Sequence, residues 1–303
     1  KGFFMLNVLP GRLLGLIAFL LLTLNVLFWV PILFAASFLK LILPPLRGPL
    51  GRFILWIAEN WISGNSAWMA LTQKTQWDVR GLDNLDYNGW YLVVANHQSW
   101  ADIFIMQKLF NRKIPLMKFF LKQELIWVPL MGLAWWALDF PFLRRHSADY
   151  LKKHPDQRGK DFETTRQACA KFSQLPTSVM NFLEGTRFSK AKHLRQGQPY
   201  KHLLKPKAGG IALALGVLGD KFHSLLNITI VYPDGAPTFW GFLCGRVKRV
   251  MVRVSSSEIP PRFLRGDYEG DTAYQAAFQQ WVKDLWLEKD VQIDALLREA
   301  ESA

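Results

Sequence analysis

The chain has 303 residues, half of them apolar, and a formal net charge of +13 at pH 7. This length suffices for one large core, or for one catalytic domain with a membrane segment, and it does not favour two unrelated catalytic domains. The positive charge favours partners with negative charge, such as nucleic acid, anionic lipid headgroups or phosphate-rich substrates. The 13 tryptophans and 22 phenylalanines favour lipid among these, because such rings prefer the interface between water and bilayer.

The N-terminal segment of residues 13–39 contains no charged side chain. It is long enough for one helix to cross a bilayer of about 30 Å, and longer than the apolar stretch of about 7 to 15 residues in a cleaved signal peptide. We therefore predict a membrane anchor in residues 1–60. It is either one tilted span or, because Pro31 and the Pro44-Pro45 pair interrupt the pattern, a re-entrant pair of helices. The flanking basic residues favour a cytoplasmic C-terminal side.

A second apolar stretch, residues 53–61, carries Glu59 and is too short to span a bilayer. It predicts an amphipathic helix that lies on the membrane or on the following domain.

From residue 70 to residue 270, short apolar runs alternate with helical patterns, which is typical of an α/β domain. We predict a central mixed sheet flanked by helices. The predicted strands are residues 77–81, 90–95, 178–182, 226–232 and 248–254, and the predicted helices are residues 102–110, 161–171 and 209–218. In residues 271–303, Tyr274, Phe278, Trp281 and Leu285 recur at helical spacing, which predicts a C-terminal amphipathic helix with a packing role.

The two cysteines, Cys169 and Cys244, lie far apart and outside any C-x-x-C spacing. We expect neither a disulfide framework nor a zinc site, and a reducing, cytoplasmic setting. The sequence also contains no G-x-S-x-G elbow, no H-E-x-x-H motif and no phosphate-binding loop of the P-loop type. The absence of these motifs argues against a serine hydrolase, a zinc protease and a P-loop nucleotidase.

The segment NHQSWAD, residues 96–102, stands where a predicted strand stops and a helix begins. Asp102, in the first helical turn, is placed to accept the proton on one ring nitrogen of His97, which leaves the other nitrogen to take a proton from a hydroxyl. The pair would then be a dyad whose nucleophile comes from the substrate. The alternative is structural, because Ser99 and Asp102 also fit a capping box, and His97 would then be a loop histidine.

The segment EGTR follows the predicted strand of residues 178–182. A turn assisted by Gly185 would bring Arg187 to the carboxyl end of that strand, where ligands bind in α/β sheets. A guanidinium fork suits a phosphate group. The alternative is an ordinary polar turn with a surface arginine.

The order of these motifs resembles that of the glycerolipid acyltransferase superfamily, over about residues 75–235. His97 and Asp102 look like its H-x-x-x-x-D signature, and EGTR matches its third motif in all four residues. KQEL at residues 122–125, with Lys122, is similar to its lysine-bearing segment. FLRR at residues 142–145 resembles its second motif, with Arg145 as the matching arginine, and PKAG at residues 206–209, with Lys207, looks like the block after the third.

Within this superfamily, several features look closer to the lysocardiolipin acyltransferase-like branch than to the compact 1-acylglycerol-3-phosphate acyltransferases. They are the leucine of FLEGTR, the basic insert of residues 188–205, and NITI at residues 227–230 ahead of Tyr232. The chain departs from the compact pattern around Pro233, which leaves the identity of the acceptor open.

The resemblance implies transfer of a fatty acyl group from acyl-CoA or acyl carrier protein to a lysophospholipid, first of all 1-acyl-sn-glycerol 3-phosphate, which would give phosphatidate. It implies that His97 is the base, that Asp102 orients it, and that the enzyme lies at a bacterial inner membrane with its catalytic domain facing the cytoplasm. The implied substrate-binding residues are Glu184, Gly185, Thr186, Arg187, Lys122, Arg145 and Lys207. We expect no metal and no cofactor, because a thioester is already activated toward attack.

Other interpretations stay open at this point. One is remodelling of another lysophospholipid, such as lysophosphatidylglycerol or lysocardiolipin. A second is a membrane-tethered nucleic-acid-binding protein, suggested by the charge and by the basic residues 190–207, although no recognisable nucleic-acid-binding motif accompanies them. A third is a non-catalytic membrane scaffold. Incorporation of labelled acyl groups into lysolipids would separate these classes.

Overall fold

The computed structural model describes residues 6–143, 175–268 and 270–302. Two long helices, α1 (Gly11–Ile42) and α2 (Arg47–Thr72), come first and form an antiparallel hairpin closed by a 3-10 turn at Pro44–Leu46. The Asn25 amide on α1 donates hydrogen bonds to the Trp61 carbonyl at 2.9 Å and to Asn65 Oδ1 at 3.0 Å, both on α2. These bonds lie about five helical turns from the closing turn. The two helices therefore stay in contact far along their length.

The hairpin differs from the sequence prediction in two respects. Pro31 lies inside α1 and does not end it. The helix ends at Ile42, just before the 3-10 turn that begins at Pro44. Residues 53–61, predicted as a short surface helix, are the middle of the 26-residue α2. The helix continues through the polar residues beyond them, where Ser63 and Ser66 donate to carbonyls one turn earlier and Asn65 is hydrogen-bonded to Asn25 of α1.

The sheet contains strands β1 (Gln76–Arg80), β2 (Tyr91–Ala95), β3 (Met117–Phe119), β6 (Ser178–Phe182), β7 (Ser224–Val231) and β8 (Arg249–Ser257), in the spatial order β1-β8-β7-β2-β6-β3. Neighbouring strands are parallel except for β7 and β8, which are antiparallel. Two short strands, β4 (Leu121–Lys122) and β5 (Phe142–Leu143), form a separate parallel pair. The prediction of a mixed sheet is confirmed.

The remaining helices of the described ranges are α3 (Ala101–Phe110), α4 (Met131–Ala137), α5 (Lys190–Arg195), α6 (Gly209–Leu218), α7 (Phe239–Leu243) and α8 (Thr272–Ser302). The five strands predicted from sequence are present with ends shifted by at most three residues, and so are the helices predicted at residues 102–110 and 209–218. The helix predicted for residues 161–171 lies outside the described residues.

The two faces of the sheet are covered by different helices, because successive side chains of a strand point to opposite sides. Leu92 and Val94 of β2 belong to a core that contains residues of α6 and α8, among them the fully buried Trp286. Val93 of β2 belongs to a second core that contains α3, α7 and the first turns of α1 around Ala18. A third apolar cluster joins α1, α2 and α4. The carboxyl ends of β2, β6 and β7 thus meet at one edge between helical layers.

The helix α1 is long and apolar enough to cross a membrane, on length and composition, within the described part of the chain. Its outward face exposes a run of large apolar side chains, among them Leu16, Phe19, Leu27, Phe28 and Phe38. This agrees with the prediction that the N-terminal region contains an apolar helix suited to a membrane anchor.

Candidate active site

The loop that carries His97 starts from a fixed strand end. Asn96 follows the last residue of β2 and is fully buried. Its amide nitrogen donates to the carbonyl of Ile230 in β7 at 2.8 Å, and its amide oxygen accepts from the Ile230 N–H at 2.9 Å. The side chain of Asn96 thus replaces the backbone pairing that β2 has lost. The chain can turn away at residue 97 without leaving the backbone of β7 unsatisfied.

His97 and Asp102 form the pair that the sequence predicted. His97 Nδ1 lies 2.9 Å from Asp102 Oδ2, and the Asp102 side chain is fully buried while that of His97 is 12% exposed. The His97 ring also stacks on Phe182 at the end of β6, with ring centres 3.9 Å apart. No hydrogen bond to His97 Nε2 comes from the residues that the structure describes. The carboxylate thus fixes one ring nitrogen, and the other is available to a substrate.

Asp102 holds the loop as well as the ring. Its Oδ2 also accepts the backbone N–H groups of Gln98 at 2.7 Å and Ser99 at 2.9 Å. A reciprocal capping box does not form, because Ser99 Oγ accepts from the N–H of Ala101 instead and donates to the Pro237 carbonyl. One half of the capping box is therefore present, and the carboxylate that forms it also binds the histidine ring.

Tyr232, just beyond β7, completes the environment of Asp102. Its hydroxyl donates to Asp102 Oδ1 at 2.5 Å. Burial, followed by the negative charge of Asp102, raises the pKa of Tyr232 well above its ordinary value, so the phenol stays protonated. The buried carboxylate is thereby hydrogen-bonded on both oxygens, as a charge removed from water must be.

Glu184 holds the same loop from the opposite side. Its Oε1 accepts the backbone N–H of His97 at 2.8 Å, and its Oε2 accepts that of Leu204 at 3.0 Å. The residue is 1% exposed, and burial raises its pKa to about 7, although the two backbone N–H donors oppose the shift. Both carboxylate oxygens of Glu184 are thus occupied by backbone N–H groups, one of which belongs to His97.

The EGTR turn brings Arg187 beside the histidine loop. Gly185 has φ +65°, a conformation that favours glycine, and its N–H donates to the Phe182 carbonyl at 2.9 Å. Thr186 Oγ1 accepts from Lys192 Nζ at 2.7 Å. Arg187 is exposed, and its guanidinium carbon lies 4.8 Å from the centre of the Trp100 ring, two residues before Asp102. The turn thus presents a planar cation at the mouth of the site.

The remaining predicted phosphate-binding residues are placed unequally. Lys207 lies against Gly185, since a Cβ added at that glycine would come within 3.1 Å of Lys207 Cδ. Lys122, on β4, is exposed, and in the described ranges no hydrogen bond or ion pair joins it to this cluster. Arg145 lies outside the described residues. Of the predicted groups, Glu184 therefore contacts His97 directly, while Arg187 lies on the EGTR turn and Lys207 lies against it.

Several residues of the site had no assigned role in the sequence analysis, namely Asn96, Trp100, Phe182, Lys192 and Tyr232. Asn96, Phe182 and Tyr232 stand at or just beyond the carboxyl ends of β2, β6 and β7. Because parallel strands deliver their carboxyl ends to one edge, this position was the signal that could have revealed them. Lys192 and Trp100 carry no such signal. In the described ranges, no group of three or more histidine, cysteine or acidic side chains is arranged to hold a metal ion.

A family model described as Acyltransferase matches residues 76–231, slightly more than half of the chain. The chain belongs to the acyltransferase family. This confirms the resemblance found in the sequence, and the matched segment contains the dyad, the EGTR turn and Lys207.

Other members of the acyltransferase family are similar at low identity. The chain is 25% identical over 256 residues to an uncharacterized acyltransferase of Schizosaccharomyces pombe, covering 73% of this chain and 66% of that protein. It is 26% identical over 212 residues to the 1-acyl-sn-glycerol-3-phosphate acyltransferase gamma of Homo sapiens, covering 66% and 51%. A third, 1-acyl-sn-glycerol-3-phosphate acyltransferase 3 of Arabidopsis thaliana, is 24% identical over 254 residues, covering 80% and 62%. The chain thus spans between half and two thirds of the length of these relatives.

The fold of this acyltransferase is also similar to a solved structure. The crystal structure of the 1-acyl-sn-glycerophosphate acyltransferase PlsC from Thermotoga maritima superposes with a TM-score of 0.51 at 20% identity. The similarity covers 90% of this chain and 95% of that one. The overall architecture is therefore shared with that acyltransferase.

Proposed function

We propose that this acyltransferase moves a fatty acyl group from an acyl thioester to the free hydroxyl of a lysophospholipid. The preferred acceptor is 1-acyl-sn-glycerol 3-phosphate, the product is phosphatidate, and the donor is acyl-CoA or acyl carrier protein. The observation that carries the proposal is the His97–Asp102 pair, with one ring nitrogen fixed at 2.9 Å and the other without a hydrogen-bond partner among the described residues. The names of two relatives, both 1-acyl-sn-glycerol-3-phosphate acyltransferases, support the choice of acceptor.

The proposed reaction needs no nucleophile from the enzyme. His97 Nε2 removes the proton from the acceptor hydroxyl, and the oxygen attacks the thioester carbonyl carbon. The tetrahedral intermediate collapses as the C–S bond breaks, and the imidazolium returns the proton to the leaving thiolate. Asp102 stabilises the imidazolium while it exists, and Tyr232 keeps Asp102 in place. The thioester supplies the activation, so the proposed reaction uses no metal and no cofactor.

The acceptor phosphate is assigned to the cations around the EGTR turn. Arg187 is exposed and its guanidinium, which lies over the Trp100 ring, has the planar fork that suits a phosphate group. Lys207 adds a second positive charge next to Gly185. Lys122 and Arg145 remain proposed helpers from the motif resemblance. Lys192 takes a different role, because its ammonium bonds Thr186 Oγ1 and the Arg187 carbonyl and so holds the turn.

The proposed location is the cytoplasmic face of a bacterial inner membrane. The apolar outer face of α1 supports membrane binding, and the net charge of +13 favours an anionic lipid surface. The lysophospholipid would then reach His97 from the membrane, while the thioester would arrive from the cytoplasm.

The proposal is tested by incubating the purified protein with labelled acyl-CoA, or with acyl carrier protein carrying the same chain, and a panel of acceptors. The panel contains 1-acylglycerol 3-phosphate, lysophosphatidylglycerol, lysocardiolipin and monoacylglycerol. We expect label in phosphatidate above all. Label mainly in phosphatidylglycerol or cardiolipin would instead assign a remodelling function, and no incorporation with any pair would contradict acyl transfer.

His97→Ala tests whether His97 is the general base. Loss of the general base should lower the rate by about two to four orders of magnitude. The matched variant is His223→Ala, because His223 is exposed just before β7, at the end of the sheet opposite His97. That variant should transfer acyl groups at the wild-type rate. Equal activity of the two variants would remove His97 from the mechanism.

A further inference from the structure

The C-terminal helix α8 is bonded to the loop that supports Glu184. Trp286 Nε1 donates to the carbonyl of Leu204 at 3.0 Å. The carboxylate of Asp290 accepts the backbone N–H groups of Lys201 at 2.8 Å and His202 at 2.7 Å. The N–H of Leu204 itself goes to Glu184, whose other oxygen binds His97. A continuous path of hydrogen bonds therefore runs from α8 to the backbone of His97.

Lys289, on the same helix, reaches the sheet directly behind the site. It is 1% exposed, and its ammonium donates to the carbonyl of Ile228 at 2.6 Å and to Thr229 Oγ1 at 2.9 Å. In the sheet, Ile228 pairs with Ala95, and Ala95 also pairs with Phe182. The ammonium is thus bound at the level of the sheet where β2 and β6 end, two residues before His97 and Glu184 respectively.

The charges of Lys289 and Glu184 act on each other inside the protein. Both residues are 1% exposed. Burial lowers the pKa of Lys289 to about 7 and raises that of Glu184 to about 7, while the opposite charge of each partner opposes both shifts. The nearby charge of Asp102 pushes the pKa of Glu184 further up. Lys289 thus supplies a positive charge to the buried region that also contains the carboxylates of Glu184 and Asp102.

We propose that Lys289 is a positioning residue of the acyl-transfer site, which supplies the counter-charge that keeps the Glu184 carboxylate bound to the His97 backbone. This inference rests on the proposed function. Its action is indirect, because Lys289 touches neither the dyad nor the exposed mouth of the site.

Packing alone does not explain a lysine at this position. A buried ammonium costs desolvation free energy that an apolar side chain of similar length, such as methionine, does not cost. If Lys289 served only to fill space behind β7, Lys289→Met would keep the activity and the thermal stability. The proposal predicts the opposite for activity, because a displaced Glu184 lets the His97 loop shift, and a displacement of about 1 Å can cost as much as 100-fold in rate.

The test measures kcat and the KM of both substrates for Lys289→Met in the full-length protein. We expect kcat to fall between about 10- and 100-fold with both KM values nearly unchanged, because the base is misplaced and the binding groups are not. Lys283→Met is the matched control, since Lys283 is an exposed lysine on the same helix, and it should match wild type. Lys289→Gln keeps a donor for Ile228 but loses the charge, and it should show the same fall in kcat.

A double-variant cycle with Glu184→Gln decides whether Lys289 acts through Glu184. If it does, Lys289→Met should lower kcat by less than about three-fold once Glu184 is already neutral, because the two losses are not independent. If the reductions in kcat of the two single variants multiply in the double variant, the proposal is overturned. A normal kcat in Lys289→Gln would also overturn it. A wild-type enzyme that is inactive on the whole acceptor panel would instead refute the proposed function. The cycle measured on melting temperature then still tests the coupling between the two side chains.

Discussion

Two buried carboxylates act on His97 from different directions. Asp102 binds the ring and Glu184 binds the backbone N–H, so both the tautomer and the position of the imidazole are determined. The first contact spans five residues and follows from the local spacing. The second spans 87 residues and depends on β2 and β6 lying side by side. General-base catalysis needs both, because the base must have the right proton and lie within reach of the acceptor hydroxyl.

Tyr232→Phe tests the support of Asp102. The change removes the hydroxyl that donates to Asp102 Oδ1 and leaves the ring in place. A hydrogen bond to a charged group contributes about 1.5 to 3 kcal/mol, so we expect kcat to fall roughly ten-fold or more with little change in either KM.

The control for this variant is Tyr91→Phe. Tyr91 is also buried, and its hydroxyl accepts the backbone N–H of Asp86, away from the dyad. Both variants should lose some thermal stability, and only Tyr232→Phe should lose turnover. Equal kcat values would mean that the Tyr232 hydroxyl has no part in catalysis.

Arg187→Lys tests the assignment of the acceptor phosphate. Lysine keeps the charge but loses both the planar fork and the stacking on Trp100. The KM for the lysophospholipid should rise by roughly one to two orders of magnitude, and the KM for the thioester should change much less. The variant should also discriminate less between 1-acylglycerol 3-phosphate and monoacylglycerol.

Arg195→Lys, an exposed arginine on α5, is the matched control and should leave both constants unchanged. A rise confined to the thioester KM would show instead that Arg187 contacts the donor's phosphates. Unchanged constants in Arg187→Lys would make the EGTR turn purely structural.

At the scale of elements, the sequence pattern predicted those helices and strands that depend mainly on interactions between residues close in sequence. For example, the apolar run of β2 and the motif that follows it predicted the strand, the loop and the start of α3 from one continuous segment. The length of α2 was underestimated because the segment SGNS, residues 63–66, interrupts the apolar pattern, and Asn65 within it is hydrogen-bonded to α1. The pairing of Lys289 with β7, 60 residues away, has no local signature at all. Side chains of the site that come from distant strands were missed for the same reason.

The close approach of α1 and α2 gives a prediction for the hairpin. A Cβ at Gly64 would lie 2.3 Å from Asn25 Oδ1, so Gly64→Ala must displace the amide that bonds Trp61 and Asn65. Alanine gains up to about 1 kcal/mol of helix propensity, whereas each buried polar group left unpaired costs about 1 to 3 kcal/mol. We expect a lower thermal inactivation temperature in detergent.

Gly48→Ala is the control, because the same substitution on the same helix has nothing within 4 Å of the new methyl group. It should leave the inactivation temperature unchanged or raise it slightly. A Gly64→Ala variant as stable as Gly48→Ala would show that the Asn25 bonds do not hold the hairpin together.

At the scale of the whole molecule, α1 is attached to the α/β domain at two distant points. Near its start, Gly15 lies against Cys244 and Trp240 beside α7. Near its end, Ser37 Oγ donates to the Ala137 carbonyl, and Lys40 lies 3.1 Å from Asp139. Gly15 and Ser37 are about 33 Å apart along a helix, which is roughly the thickness of the hydrocarbon core. A helix crossing the bilayer upright would carry the polar domain into the lipid.

We therefore predict that the hairpin lies within one leaflet, with the exposed apolar face of α1 in the lipid and the domain on the surface. Single cysteines placed at Val8, Leu46 and Lys248, all exposed, report the sidedness in a background without Cys169 and Cys244. Val8 precedes α1, Leu46 lies in the closing turn, and Lys248 belongs to the domain. An impermeant maleimide is applied to sealed vesicles of each orientation.

A hairpin in one leaflet places Val8 and Lys248 on the same side and leaves Leu46 unlabelled from the other side. If α1 alone crosses the membrane, Val8 and Lys248 react from opposite sides. If both helices cross, Val8 and Lys248 react from one side and Leu46 from the other. The three arrangements give three different labelling patterns, so the result selects one of them. Detergent should make all three cysteines reactive, which separates protection by lipid from burial within the protein.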